Sequence, residues 1–479
     1  MAEKLDSRTK WSYTVGATGR DMAYTLVSMF LMTYIQYTVK LSVSQFAVIS
    51  AIMVVCLIWD AINDPMMGII IENSHFKFGK YRPWILAGSI LNAIVIFCMF
   101  SIRPSGWCFV AFFGISYLLW GMTYTMNDIS YWGMLPSLSS DAGERNMLVT
   151  MMSIFICVGQ FSVAGLVPVI VAGNAVESYR ITALAVALCF ILFQLITVIG
   201  VRERHHSTED NAETLSLKDM FRIFLRNDQL VHAGISTFLF NVGSGLLILF
   251  GMNFFYFEFG YSSGGSLIFV FTVMYGVGTL VSQILFPILT KRFSRQKLIA
   301  MITVALTVFY LVFLAIGYVI PKLPIIVYSA GFLIFFSQGL FNLILIVMLN
   351  NTIEYDEWKF HERHDSVISA VRSFAVKFAS AVNQGIVTLV LIISGVYSIS
   401  QNISALEIQK GTGALAFSEV LALADSYIQS AKSSQLFVLR LGMTLIPIAA
   451  IAVTMLILTR KYKITEEEYN RIVAELTNT

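Results

Sequence analysis

The 479-residue sequence contains few charged residues: Asp, Glu, Lys and Arg make up 13% of it, and hydrophobic residues make up 57%. Soluble domains carry about 25% charged residues, so this composition argues against a soluble protein. The sequence also lacks segments of about ten residues with alternating polarity, which are typical of transmembrane β-barrels. Instead, apolar runs of roughly 18 or more residues recur along the chain, each long enough to cross a bilayer as a helix. The sequence therefore predicts an all-α membrane protein.

Reactive and metal-binding side chains are scarce as well. The five cysteines fall in or beside apolar runs without a CxxC pair, so we expect small buried hydrophobic side chains. None of the six histidines lies in mid-membrane or in a metal-binding group, which argues against a histidine proton relay. We see no nucleophile–base set or metal-ligand set at a membrane face, so we expect neither an enzyme nor a resident cofactor. No cleaved signal peptide is recognisable, and the first span is expected to be retained.

Twelve apolar segments are long enough to be spans, in two groups of six. A polar stretch divides the chain near its midpoint, and the similar basic loops KFGKYRPW and KRFSRQKL follow the second and eighth spans. This arrangement indicates two six-helix bundles related by an internal repeat. We predict an N-terminal bundle at 1–200, a cytoplasmic linker at 201–230, a C-terminal bundle at 231–459 and a cytoplasmic tail at 460–479. The spans lie at approximately 12–37, 44–71, 84–102, 108–132, 147–172, 179–200, 231–257, 264–290, 298–319, 325–350, 366–396 and 433–459.

The basic residues predict the orientation. Most of the 32 lysines and arginines fall in the termini and in the loops on the same side as the termini. Because cytoplasmic loops of membrane proteins are enriched in Lys and Arg, we place both termini in the cytoplasm. The longest external segment is then roughly 397–432.

Two carboxylates in the second span indicate a cation site. Asp60 and Asp64 are spaced i, i+4 and share one helix face, with Asn63 beside them. An ionisable residue near the bilayer centre costs about 2.5–3.5 kcal/mol, and two close carboxylates repel unless a cation or proton lies between them. The alternative is a structural ion pair with a basic residue on another helix. Lys377 in span eleven, five residues after Arg372, is the candidate for that partner.

The fourth span adds a third intramembrane carboxylate. Thr125 and Asp128 are three residues apart on one helix face, and Trp132 follows one turn later. A carboxylate beside an indole suits a sugar, because hydroxyls donate to the acid while the C–H face stacks on the ring. Interfacial anchoring of Trp132 is the other interpretation.

The first span carries Arg20 and Asp21 next to each other. Consecutive helical residues point about 100° apart, so we do not expect a simple internal pair. Asp21 is a candidate sugar ligand, and Arg20 is expected to balance its negative charge. The alternative is a pair that faces the cytoplasm near the start of the helix.

These motifs resemble the glycoside–pentoside–hexuronide cation symporters, a branch of the major facilitator superfamily. The resemblance rests on WDAINDPMMG, FGKYRPW, GMTYT followed by MNDISYWGMLP, EYDEWK and the lysine of span eleven. It implies the major facilitator fold and places the cation site on Asp60, Asn63, Asp64 and Thr125. It implies a sugar site at Arg20, Asp21, Asp128, Trp132 and Arg372, with Lys377 coupling the two.

The sugar site departs from the pattern of the family's bacterial melibiose carrier at several positions. Ser153 stands where that carrier has an arginine, Asn342 where it has a tryptophan, and Arg372 where it has a glutamine. Arg20 stands where it has a lysine. The added arginine suits a hexuronide carboxylate, and it equally suits replacement of the lost arginine.

The sequence thus predicts a Na⁺-coupled symporter that imports a small glycoside or hexuronide by rocking of the two bundles around a midplane site. Li⁺ is another candidate coupling ion. Proton coupling is the alternative, and a lipid or lysolipid carrier of the same superfamily is a more distant one. We expect a functional monomer in a bacterial cell membrane, with the sugar, the cation and the bilayer as partners and no nucleic acid.

Overall fold

The computed structural model shows an almost entirely helical chain. It describes residues 5–74, 76, 78–139, 141–201, 203, 217–362 and 364–478. Within these ranges the only β-type pairing is an isolated bridge between Ile316 and Ile320. The helices are α1 (Ser7–Thr38), α2 (Val43–Glu72), α3 (Arg82–Ser101), α4 (Trp107–Leu138), α5 (Ala142–Val171), α6 (Ala175–Gly200), α7 (Leu217–Arg226), α8 (Asp228–Leu249), α9 (Gly251–Phe259), α10 (Tyr261–Arg292), α11 (Arg295–Ala315), α12 (Pro324–Phe360), α13 (Asp365–Ser394), α14 (Val396–Gly411), α15 (Phe417–Gln429), α16 (Ser433–Arg460) and α17 (Glu466–Asn478).

Eleven helical segments of the described chain are long and apolar enough to cross a membrane. The predicted first span lies in α1. This helix is long enough at 32 residues, but it is less apolar than the eleven segments. Its polarity has a structural cause, because Arg20, Asp21 and several threonines are buried along it. The predicted all-α membrane architecture is confirmed, with α1 as the most polar of its long helices.

Local sequence signals begin several of these helices. At α2, Ser42 accepts a hydrogen bond from the backbone N–H of Gln45, whose side chain in turn accepts from the backbone of Ser42. Asp141 caps α5 and Asn227 caps α8 in the same way, through a side-chain oxygen. Such caps satisfy N–H groups that lack partners within the helix.

The helices pack into two compact units that are not continuous in sequence. Unit 1 comprises Met1–Asp210, Phe255–Phe269 and Leu391–Lys432. Unit 2 comprises Asn211–Phe254, Val270–Val390 and Ser433–Thr479. These units differ from the halves 1–200 and 231–459, because α14, α15 and the junction of α9 and α10 belong to unit 1.

The predicted linker at 201–230 is described only in part. Its residues 202 and 204–216 lie outside the described ranges, and α7 occupies its C-terminal portion. The bundle boundaries of the sequence analysis stay a prediction.

Helix α1 lies against α5 and α6 through very close contacts. Gly159 of α5 meets the backbone carbonyl of Thr18, and a Cβ at Gly19 would lie 2.8 Å from the carbonyl oxygen of Cys189 on α6. Side chains larger than hydrogen would push the helices apart at these positions. The contacts fix α1 in the interior of unit 1, and Arg20 and Asp21 with it.

In unit 2, a buried arginine of α16 completes the end of α11. Arg440 is 2% exposed, and its Nη1 donates to the backbone carbonyls of Leu314 and Ile316. Its guanidinium also lies over the rings of Phe254 and Tyr318, 5.4 and 4.8 Å from their centroids. The arginine therefore binds carbonyls that have no partner within α11.

Candidate functional site

The carboxylate pair of α2 faces α4. Oδ1 of Asp64 accepts a hydrogen bond of 2.8 Å from the hydroxyl of Thr125. Asp60, one turn earlier, lies against Gly121, where an added Cβ would be 2.8 Å from Asp60 Oδ1. The absence of a side chain at Gly121 thus makes room for the Asp60 carboxylate. Two neighbouring turns of α4 shape this part of unit 1.

Asn63 adds an amide beside the pair. The residue is 8% exposed, and its Nδ2 atom has no hydrogen-bond partner. The structure therefore brings Asp64 and Thr125 into contact and places Asp60 and Asn63 on the adjoining turn of α2. These side chains supply carboxylate, amide and hydroxyl oxygens, the ligands that hard cations prefer.

A second group of charges lies around Arg20 on α1. The guanidinium is 3% exposed and donates to Asp21 Oδ2 from Nη2 at 2.8 Å and from Nε at 3.1 Å. Its Nη1 lies 3.1 Å from Asp128 Oδ1 on α4. One buried cation thus holds two carboxylates, which leaves this group with a formal charge of −1.

The expectation that Arg20 and Asp21 do not pair directly is wrong. The angle of about 100° between consecutive helical residues describes only the directions in which their side chains leave the helix. The arginine side chain is long enough to turn its guanidinium back onto the adjacent carboxylate. The pair is also buried, so the alternative of a pair exposed near the helix start is wrong too.

Trp132 borders the same charges. Its ring centroid lies 5.5 Å from the guanidinium carbon of Arg20, and the residue is 40% exposed. The Asp128 side chain is 32% exposed. The accessible carboxylate can accept a hydrogen bond from a sugar hydroxyl, and the accessible indole beside it can stack on the C–H face of the sugar.

Three residues that the sequence analysis did not select support this group. The hydroxyls of Tyr13 and Tyr131 each donate to the other residue's backbone carbonyl, and the rings stack with centroids 4.7 Å apart. Tyr131 also lies under the Arg20 guanidinium, at 5.0 Å. Gln160 of α5 donates from Nε2 to Asp21 Oδ1 at 3.4 Å. The only signal in the sequence was the Tyr131–Trp132 dipeptide, because the contacts join helices far apart in the chain.

The remaining predicted residues belong to other parts of the molecule. Arg372 and Lys377 lie on α13 in unit 2, where Arg372 is exposed and Lys377 is half-buried. Asn342 is exposed on α12 of the same unit. Ser153, exposed on α5, donates its hydroxyl to the carbonyl of Val149 in its own helix. Sugar binding by Arg372 and coupling by Lys377 stay predictions.

The described residues contain no group of three or more His, Cys, Asp or Glu side chains that could hold a metal ion.

The architecture is that of known transporters. A bacterial homologue of the human lysosomal transporter Spinster, solved in an inward-facing and occupied conformation, matches the chain with a TM-score of 0.64. The match covers 95% of this chain and 97% of that one at 13% sequence identity. The predicted major facilitator fold is thus confirmed.

The sequence comparisons give the family. The family model described as MFS/sugar transport protein matches residues 12–466, so the chain belongs to that family. The raffinose carrier protein of Pediococcus pentosaceus is 26% identical, over 98% of this chain and 71% of the carrier. The lactose permease of Lactobacillus delbrueckii subsp. bulgaricus is 25% identical, over 99% of this chain and 73% of the permease. The expected glycoside–pentoside–hexuronide type is confirmed, and so is the expectation that the protein is a transporter and not an enzyme.

Proposed function

We propose that the protein imports a small glycoside together with Na⁺ by alternating access. Membership in a sugar transport family and the multi-pass helical fold support the transport class. The relatives named for raffinose and lactose both refer to sugars with a galactosyl group, which favours a galactoside over a hexuronide. The distribution of Lys and Arg supports a membrane orientation with both termini in the cytoplasm, and a monomer is the working unit that we expect.

The observation that carries the cation coupling is the hydrogen bond between Thr125 and Asp64. It sets a hydroxyl oxygen from α4 against a carboxylate of α2, with Asp60 one turn away. Na⁺ entering between the carboxylates would relieve their repulsion and take the Thr125 hydroxyl oxygen as a further ligand. Asn63 would supply a further oxygen from its buried amide.

The sugar would bind at the accessible edge of the Arg20 group. Asp21 is occupied by two hydrogen bonds from Arg20 and one from Gln160, so it holds the guanidinium in place. Asp128 is more exposed and is the better acceptor for sugar hydroxyls. Trp132 would stack on the C–H face of a galactosyl ring.

Helix α4 links the two parts of this mechanism. Thr125 contacts the cation pair, and Asp128 follows within one turn with its carboxylate on the Arg20 side. A cation that orders this turn also orders the sugar acceptor. The coupling is reciprocal, so the sugar should raise the affinity for the cation by the same factor that the cation raises the affinity for the sugar.

Initial uptake of labelled lactose, raffinose and a glucuronide into de-energised cells would test this proposal. An inward Na⁺ gradient is imposed or omitted at fixed pH, and wild type is compared with Asp64→Asn and with Glu177→Gln. Glu177 is a half-exposed acid that pairs with Arg180 one turn away, so its variant should behave as wild type. Na⁺-stimulated galactoside uptake that is lost in Asp64→Asn supports the proposal.

Other outcomes identify the alternatives. Uptake that follows a pH gradient and ignores Na⁺ would assign the carboxylate pair to a proton. Preference for the glucuronide would move the substrate class to hexuronides. Uptake of a lysolipid without uptake of any of the three sugars would support the lipid carrier.

A further inference from the structure

A buried glutamate ties together three segments of unit 1. Glu407 on α14 is 0% exposed. Its Oε1 accepts from the backbone N–H of Gly173 at 2.8 Å and from the hydroxyl of Tyr261 at 2.7 Å. Its Oε2 accepts from the N–H of Ala175 at 2.6 Å. The carboxylate thus joins α14 to the turn between α5 and α6 and to the start of α10.

Helix α15 strengthens the tie to α10. Asp425 accepts from the backbone N–H of Tyr261 at 2.5 Å and from the hydroxyl of Ser262 at 2.7 Å. The other end of α14 is attached to the turn after α1, where Gln401 accepts from the N–H of Leu41 at 2.9 Å. The segment expected from the sequence to be external, roughly 397–432, therefore forms two helices anchored by polar contacts, α14 and α15.

The surroundings of Glu407 are incompletely satisfied. The hydroxyls of Tyr179, Tyr256 and Ser404 are buried and have no hydrogen-bond partner, and each residue is at most 1% exposed. Interiors that remain closed satisfy almost all of their buried polar groups. Unpaired hydroxyls make the closed arrangement less stable and favour its opening to water.

Three helix junctions near Glu407 contain glycines whose backbone conformations allow the chain to rotate. Gly173, Gly260 and Gly395 have φ values of 81°, 103° and 77°. They lie between α5 and α6, between α9 and α10, and between α13 and α14. Positive φ at glycine carries little steric cost, so rotations at these three points are cheap.

We propose that Glu407 is a latch that holds the external end of unit 1 closed, and that its hydrogen bonds to the α5–α6 turn break each time the transporter opens to the outside. This inference rests on the proposed transport cycle and on the orientation predicted from the charges. It gives the segment 391–432 a role in sealing the external side.

A disulfide across the latch provides the first test. A Cβ at Gly411, the last residue of α14, would lie 3.5 Å from the Cβ of Val176 on α6. This separation is within the range of natural disulfides. The double variant Val176→Cys/Gly411→Cys is made in a background with the five native cysteines changed to serine, and each single variant serves as a control.

Uptake of labelled lactose and raffinose is then measured after oxidation and again after reduction. The latch predicts that oxidation lowers uptake roughly ten-fold or more in the double variant only, because a covalent tie replaces hydrogen bonds that must break. Reduction should restore it. Full uptake by the oxidised double variant would overturn the latch, since α14 and α6 would then stay together throughout transport.

A second test needs no substrate. Ser404→Cys, placed behind the latch in the same cysteine-free background, is labelled from outside with a membrane-impermeant maleimide. Adding Glu407→Ala removes the hydrogen bonds that Glu407 accepts from Gly173, Tyr261 and Ala175 and should speed labelling roughly ten-fold. Glu419→Gln, an exposed position on α15, should not change it. Equal labelling rates in the three variants would contradict the latch. Faster labelling of the Glu407 variant without uptake of lactose or raffinose would support the latch and refute the proposed substrate class.

Discussion

The hydroxyl of Thr125 and the carboxylate of Asp64 are 2.8 Å apart, which joins α4 to α2 by a charge-assisted hydrogen bond. Thr125 is 5% exposed, whereas Asp64 is more accessible. A cation can therefore approach the carboxylate from the open side, with the threonine oxygen already in place. The same turn of α4 leads directly to Asp128, whose carboxylate lies 3.1 Å from the guanidinium of Arg20.

Replacing Thr125 by valine should weaken cation binding selectively. Valine preserves the shape but removes the donor and the oxygen, and a hydrogen bond to a charged group contributes about 1.5–3 kcal/mol. We expect the Na⁺ concentration for half-maximal uptake to rise roughly ten-fold or more, since about 1.4 kcal/mol corresponds to a factor of ten in an equilibrium constant. Thr125→Ser retains the hydroxyl and should remain near wild type. Equal Na⁺ dependence in the two variants would remove Thr125 from the site.

Substitution of Gly121 by alanine should displace the other carboxylate. The new methyl group would lie 2.8 Å from Asp60 Oδ1, closer than carbon and oxygen normally approach. The acid must rotate away, and Na⁺-stimulated uptake should fall. Gly68→Ala on α2 is the matched control, because no atom lies within 4 Å of its added methyl group. The contrast is measured as uptake against Na⁺ concentration for both alanine variants.

Arg20 should be required for stability as well as for binding. Arg20→Met leaves Asp21 buried without its cation, and removing one partner of a buried ion pair costs about 3–5 kcal/mol. Arg20→Lys retains the charge and should lose much less. Thermal unfolding of the purified protein in detergent would compare the two. A methionine variant as stable as the lysine variant would contradict a stabilising role for the Arg20–Asp21 ion pair.

Opening of the external side should depend on pH through Glu407. Burial raises the pKa of this carboxyl above its ordinary value of 4.5, and its hydrogen bonds and Lys410 oppose the rise. In the open state the hydrated carboxyl returns towards the ordinary pKa, so protons bind more tightly to the closed state. Acid should therefore favour the closed state, and this stabilisation is lost as the pH rises through the raised pKa. The groups that face the carboxylate are Lys410 and Tyr261, Tyr179 and Tyr256.

Maleimide labelling of Ser404→Cys, corrected for the pH dependence of the thiol reaction, measures this effect. Labelling should slow as the external pH is lowered towards 4.5, and Glu407→Gln should abolish the dependence. Retention of the same pH profile in the glutamine variant would assign it to another group.

The sequence predicted the parts of the site that lie on single helices. Spacing alone places Asp60 and Asp64 on one face of α2, and the apolar runs give the long helices. The pairing of Asp64 with Thr125 came from the family resemblance, because no local pattern states which helices meet. The contact of Gln160 with Asp21 joins residues 139 positions apart and has no counterpart in any motif.

The failures have physical reasons. Arg20 pairs with its neighbour because a long side chain can bend back, whereas the prediction considered only directions at the Cβ atoms. The sequence did not predict helices α14 and α15, because polar and apolar residues are mixed along both. They are held by buried polar contacts such as that of Glu407 with Ala175, and hydropathy does not reveal such contacts.

The attachment of Arg440 to the end of α11 has a consequence for biogenesis. The arginine follows Ile316 by 124 residues, so a growing chain contains α11 long before it contains the group that binds the carbonyls there. Unit 2 therefore gains the donor for these carbonyls only when its last long helix is present. A product truncated before α16 would leave the end of α11 without that donor.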